Sequence, residues 1–374
     1  MGKLSLNLVK NDSQASSILD LMRFLSALTV FLFHFYVPVP GYQAVMVFFV
    51  LSGYFISSSV LKAVVENRWS WSDYLFKRLT RLWIVLLPAL FLTYILAKIQ
   101  LGLFGEDLNP PNLKVSNYIS WELFFGNLFF MQGILVKGPF GLNGPLWSLT
   151  YEFWYYILFP CIILIFCSSK KSKKLFYLLV SIAISIFVGQ KIMEYFLIWS
   201  LGAIIPLIKP LNLEKAYLKF IITLFSTLIA IVSLHYEAGS SFFLDLRVGI
   251  TFSFLIYLVV SFFNNNSSSI KNNIPKYLAG FSYTLYLTHY PLANFILTWR
   301  MSPLWPFEGN SLIIKVALAI LVIIYAWIIA LLTEKHTDRV RGIISKLIFR
   351  KNMNLLKNKS IPSNNVDSQP PMLG

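Results

Sequence analysis

Residues 19–35 read LDLMRFLSALTVFLFHF, an apolar stretch that nonetheless carries Asp20, Arg23 and His34. At 1.5 Å per residue, a helix needs about twenty residues to cross the roughly 30 Å hydrocarbon core of a bilayer. Runs of about that length recur outward from this one, at 19–37, 43–62, 82–99, 147–168, 217–235, 242–263, 278–298 and 311–332. Between residues 175 and 208 a further apolar stretch is interrupted by Gly189, Gln190, Lys191 and Glu194, which divides it into two short spans. The pattern predicts an all-α polytopic integral membrane protein with about ten transmembrane helices.

Composition points the same way. Of 374 residues, 57% are hydrophobic and 13% charged, where a soluble domain carries about 25% charged residues. Membrane lipid is therefore the expected solvent, and the 17% aromatic content suits interfaces and interhelical space. The net charge of +16 is spread in short clusters between apolar runs, which speaks against a nucleic-acid partner. Cys161 and Cys167 share one apolar run and read as small buried hydrophobes, with no disulfide framework and no metal site. No small-residue cleavage site follows the first run, which is expected to remain as a helix.

Charge asymmetry orients the spans. With Lys3 and Lys10 cytoplasmic, ten spans place Lys62, Arg68, Lys77, Arg78 and Arg81 inside, together with the 170–174 lysine cluster and the basic tail. Both termini are then cytoplasmic. Segment 119–136, with Trp121, Glu122, Asn127 and Gln132, is too amphipathic for a lipid-exposed span, and counting it would send the lysine cluster outside. Residues 100–146 therefore read as an outward loop holding a partial or surface helix. The expected organisation is a cytoplasmic segment 1–17, a transmembrane domain 18–334 and a basic cytoplasmic tail 335–374, its last fifteen residues disordered.

A charged side chain within a span costs roughly 2.5–3.5 kcal/mol on insertion scales, so each needs a task or a partner. Arg23 and His34 are eleven residues apart; at about 100° per residue this returns to within roughly 20°, predicting one helix face and two depths about 16 Å apart. Arg23 suits an anion near the surface or a snorkelling anchor, and His34 suits proton transfer or an interhelical hydrogen bond. In VFFVLSGYF (47–55), Ser52 and Gly53 allow close helix approach. In FKRLTRLW (76–83), Arg78 and Arg81 share a face and suit phosphate, or simply fix topology. In NGPLWSLTYEFWYY (143–156), Glu152 lies inside the apolar run, where it suits proton transfer, orientation of a histidine or a structural hydrogen bond.

In order along the chain, these runs resemble the acyltransferase-3 family of integral-membrane O-acyltransferases over roughly residues 17–335. The carrying residues are the Arg23 and His34 pair, FFVLSG (48–53), the Arg78 and Arg81 pair, LWSLTYE (146–152) and FSYTLYLTHYPL (281–292), which supplies Ser282, Tyr283, Tyr286, His289 and Pro291. The chain departs from the pattern at Met46, Ile84 and Thr288, where relatives often carry an acidic residue, a proline and a tryptophan, and Glu334 lacks its following proline. The resemblance implies an acyl-CoA donor, acetyl-CoA above all, reached from the cytoplasm. It also implies a hydroxyl acceptor on a carbohydrate or lipid-linked glycan, and residence in the cytoplasmic membrane of a bacterium. Arg23, His34 and Glu152 are implied to be functionally important.

The expected mechanism docks the coenzyme A phosphates on Arg23, Arg78 and Arg81, with the pantetheine arm reaching toward His34. His34 serves as general base on the acceptor hydroxyl or as a nucleophile. Glu152 and His289 are candidate partners of that imidazole, and Asn143, Trp147, Ser148 and Tyr283 are candidate substrate-binding residues. The rival class is a carrier or flippase for a lipid-linked or anionic solute, to which intramembrane histidine and glutamate are also suited. A polysaccharide polymerase or ligase would concentrate its chemistry in the 100–146 loop.

Overall fold

The computed structural model describes residues 6–35, 37–105, 114–236, 241–265, 274–300 and 311–347. Among these residues the chain forms ten α-helices and no strand: α1 (Gln14–His34), α2 (Gly41–Val65), α3 (Trp71–Phe104), α4 (Trp121–Leu128), α5 (Leu146–Cys167), α6 (Lys171–Ile204), α7 (Ala216–Ser233), α8 (Phe242–Phe263), α9 (Ile274–Arg300) and α10 (Ser311–Leu332). Eight helical stretches are long and apolar enough to cross a membrane, which makes the protein all-α and polytopic.

The apolar stretch divided in two by the sequence is one helix broken in the middle. Gly189 sits at φ 81° and ψ 171°, a region essentially reserved for glycine. The limbs on either side run in opposite directions. On the first, Tyr177 stacks on Trp71 and Phe187 packs against Trp154. On the second, Ile192 accepts the Tyr155 hydroxyl at 2.6 Å and Trp199 lies against Phe159, so this limb descends alongside α5. Helix α9 is too polar to count among the eight, yet it packs against α1, α3 and α10. Counting both limbs of α6 together with α9 gives ten passes; α4, with eight residues, is too short to be one.

The start of α1 and the ends of α6 and α8 share one rim, called lower here. The Asn7 N–H donates to Pro206 O at 2.8 Å and the Lys10 N–H to Asn264 Oδ1 at 2.7 Å. The chain returns to this rim after α10, where Arg341 Nε donates to Thr80 Oγ1 at 3.4 Å. Helix α3 is longer at both ends than the expected 82–99, starting at Ser70, whose hydroxyl accepts the Asp73 N–H. Arg78 and Arg81 lie within this helix, on one face as expected from their spacing. The tail residues read as disordered and part of the 100–146 loop, residues 106–113, lie outside the described residues.

Two sequence features set the packing around the site. A Cβ on Gly53 would collide with the Trp199 carbonyl, and one on Gly202 with the Val50 carbonyl, so α2 and the second limb of α6 meet backbone to backbone. The prolines free carbonyls that other helices then use. Pro291 has no N–H for Leu287 O, one turn back, and Asn143 Nδ2 donates to that oxygen at 3.0 Å. Pro160 likewise leaves Tyr156 O without its usual donor, and the Tyr74 hydroxyl takes it at 2.9 Å.

Candidate active site

A cavity of about 120 Å³ opens between α1, α2, α3, α5 and α9, and three arginines converge on it: Arg23, Arg78 and Arg81. Arg23 pairs with Asp20 at 3.5 Å and lies over the Phe55 ring at 4.7 Å. This contact holds the guanidinium against an apolar wall by ion-pair and cation–π attraction. Arg78 donates to Ser59 Oγ at 3.0 Å and lies over the rings of Tyr74 and Tyr156. Three carboxylates, Asp20, Glu152 and Glu334, lie among these cations, and the planar guanidinium forks match phosphate oxygens in shape. Glu152 lines the same cavity, accepting from Ser52 Oγ at 2.8 Å and from the Tyr156 hydroxyl. Next to the cavity residues Ser282 and Tyr283 on α9, Thr284 Oγ1 donates to Glu334 Oε2 at 2.8 Å.

The upper boundary of this cavity is built by Ser148 and Tyr286, whose hydroxyls share a hydrogen bond of 2.7 Å. One turn above Tyr286 on α9, His289 is fully buried, its ring 6.3 Å from that of Tyr286 and 5.3 Å from that of His34. His289 Nδ1 lies 2.7 Å from Leu285 O. A carbonyl only accepts, so Nδ1 carries the proton and Nε2 keeps its lone pair. Among the described residues Nε2 is buried without a hydrogen-bond partner. His34 ends α1 and opens into a second cavity, of about 330 Å³, shared with Phe33, Val37, Pro38, Tyr290 and Asn294. Tyr290 meets the His34 ring edge-on at 4.7 Å.

Arg23 and His34 share a helix but line different cavities, Arg23 the arginine cavity and His34 the second one. Helical pitch fixes direction along α1 but says nothing of what fills the groove. Here α9 crosses it, with Phe281 against Phe24 and His289 against Phe31. Glu152 is likewise not a partner of His34, because its depth on α5 matches Ser52 on α2 and places it among the arginines. His289 is brought to His34 as expected. Ser148 and Tyr283 line the arginine cavity, Tyr283 donating to Leu82 O at 3.3 Å.

Asn143 and Trp147 line neither of these two cavities. Asn143 is spent on the carbonyl freed by Pro291, and Trp147 packs within an aromatic cluster against Tyr42, Phe49, Tyr151 and Tyr195. Sequence reasoning missed Phe55, Tyr156, Tyr290 and Asn294, which line the cavities. Each is an ordinary residue in a membrane helix, and only its neighbours mark it. Among the described residues no group of three or more His, Cys, Asp or Glu side chains could hold a metal.

No solved structure matches the chain. An O-acetyl transferase of Shigella phage Sf6 is 30% identical over 162 residues, 38% of this chain and 44% of that protein. Peptidoglycan O-acetyltransferase OatA of Listeria monocytogenes serovar 1/2a (strain ATCC BAA-679 / EGD-e) is 28% identical over 163 residues, 42% of this chain and 25% of that protein. These matches span less than half the length of either relative. A family profile described as an acyltransferase domain matches residues 17–332, nearly all of the helical bundle, and the chain belongs to the acyltransferase-3 family.

Proposed function

We propose that the protein is a membrane O-acetyltransferase that moves an acetyl group from acetyl-CoA to a hydroxyl of a cell-surface or lipid-linked glycan. The observation that carries this reading is the placement of the imidazole pair. His34 and His289 stand between an arginine-lined cavity and a second cavity on the far side of Tyr286. The names of the two relatives, both O-acetyltransferases, support the acetyl group and the oxygen acceptor. The basic clusters argue that the lower rim faces the cytoplasm, where acyl-CoA is available.

In this reading the coenzyme A phosphates pair with Arg23, Arg78 and Arg81, and Glu152 with Ser52 and Tyr156 receives the polar part of the pantetheine arm. The nucleotide stays at the lower rim, its phosphates toward the arginines. The thioester reaches the imidazoles when Tyr286 and Ser148 part. His34 takes the proton of the acceptor hydroxyl, the oxygen attacks the thioester carbonyl, the carbon–sulfur bond breaks, and the proton passes to the departing thiolate. The Nε2 lone pair of His289 supports the protonated imidazole of His34, because Leu285 O fixes its tautomer.

A carrier or flippase is the competing class, and one assay separates the two. Purified protein in sealed proteoliposomes should convert acetyl-CoA to free coenzyme A in proportion to acceptor acetylation. Movement of a labelled solute across the vesicle membrane with no acyl donor present would establish the carrier instead.

A further inference from the structure

A third cavity, of about 400 Å³, lies where the broken α6 meets the start of α8, away from both cavities described above. Tyr42, Tyr195 and Phe242 supply aromatic walls, and Gln190, Lys191 and Glu194 supply planar or charged polar groups at its mouth. Beneath them is Asp245, 1% exposed. Its Oδ2 accepts from Tyr195 at 2.7 Å and Tyr42 at 3.2 Å, and its Oδ1 from the Tyr236 hydroxyl at 2.5 Å. Among the described residues no ion pair neutralises it.

A carboxylate buried among phenols is costly to maintain, and the transfer chemistry proposed above makes no use of it. What it does is hold Tyr42 and Tyr195 rigidly in the wall. With Glu194 beside it, the pocket disfavours phosphate and other anions. Aromatic faces combined with amide, carboxylate and ammonium groups suit a neutral, hydroxyl-rich ligand, which offers apolar ring faces and many hydroxyl donors and acceptors.

The cavity is tied to His34 by the chain itself. Val37, Pro38 and Val39, in the connection after α1, line the His34 cavity, and Tyr42 in the first turn of α2 lines this one. Both therefore open at the upper rim, on either side of one short connection. We infer that the Tyr42–Tyr195–Gln190–Glu194 cavity binds a sugar unit of the acceptor glycan other than the one acetylated, and so sets a preference for acceptors longer than one unit. This rests on the glycan-acceptor reading.

The test uses full-length protein in nanodiscs and oligosaccharides released by mild acid from the surface polysaccharide of cells lacking the protein, fractionated into single and multiple units. Binding is followed by quenching of tryptophan emission, since Trp147 lies against both Tyr42 and Tyr195. Wild-type protein should bind the longer fragments saturably. Lys191→Ala with Glu194→Gln, the latter keeping an oxygen for the Gln190 Nε2–H now 2.7 Å from the carboxylate, should weaken that binding roughly tenfold, as expected for losing charged hydrogen bonds. Binding of the single unit and the KM for acetyl-CoA should stay unchanged. Equal weakening for long and short fragments, no weakening, or no saturable binding by the wild type would overturn the subsite. Saturable binding of the glycan with no acetyl transfer to it would uphold the subsite and overturn the glycan-acceptor chemistry instead.

Discussion

At the scale of single residues, the imidazole pair is where the protein commits itself. A fully buried histidine with one nitrogen bound to a carbonyl and the other left open is a poor structural choice in an apolar bundle, since an unpaired buried polar atom costs about 1–3 kcal/mol. That cost is justified if His289 supports proton transfer at His34. His34→Ala should lower acetyl transfer by roughly 100-fold or more, the usual contribution of a general base, with unchanged membrane insertion; transfer assays on equal amounts of inserted protein check this. For the cations, Arg78→Ala removes a charge-assisted contact and should raise the KM for acetyl-CoA about tenfold or more while the KM for acceptor holds. An unchanged KM for acetyl-CoA would return Arg78 to the role of a topology signal. Glu152→Gln should also act on the donor KM, because its carboxylate faces the arginines and not His34.

These residues were legible in sequence for a plain reason. Arg23, Glu152 and His289 are polar groups in otherwise apolar helices, where each needs a purpose. Their grouping was not legible. Arg23 and His34 align by helical pitch, yet the groove between their positions is filled by Phe281 and His289 of a helix some 250 residues further along the chain.

At the scale of elements, prolines and glycines decide how the helices engage. Asn143 stands in for the N–H that Pro291 lacks, so the two substitutions should be coupled. Asn143→Ala alone strands the Leu287 carbonyl and should cost about 1 kcal/mol. In a Pro291→Ala background, a backbone N–H takes that carbonyl and the same change should cost less. Denaturation of the four proteins in one detergent measures the coupling, and strict additivity would refute the link. Gly202→Val should lower thermal stability clearly, since the added carbons meet the Val50 backbone and not a movable side chain. The break in α6 was readable from Gly189 and its polar neighbours, because few other residues tolerate φ 81°. The full length of α3 was not, because the polar first turns that follow Ser70 look like a loop until the cap is seen.

For the whole molecule, ten passes return the chain to the rim where it starts, and the basic clusters predict that this rim is cytoplasmic. In a protein carrying Cys161→Ser and Cys167→Ser, single cysteines introduced at Lys173 and Lys346 should react with an impermeant thiol reagent only from the cytoplasmic side. One at Glu122 should react only from the opposite side. The reverse pattern would invert the donor and acceptor cavities. The ten-pass bundle was visible as apolar runs, whereas the separation into cavities arises from packing between helices far apart in sequence.

In the proposed reaction acetyl groups pass from a donor on the arginine side to an acceptor on the His34 side. It is tested most directly in sealed, oriented proteoliposomes given acetyl-CoA labelled in the acetyl group on the lower-rim side and the unacetylated glycan on the other. Labelled, O-acetylated glycan should form on the far side with stoichiometric release of coenzyme A, and neither product should form with His34→Ala. Labelled glycan formed at an undiminished rate by His34→Ala, or only with donor and glycan on the same side, would contradict it.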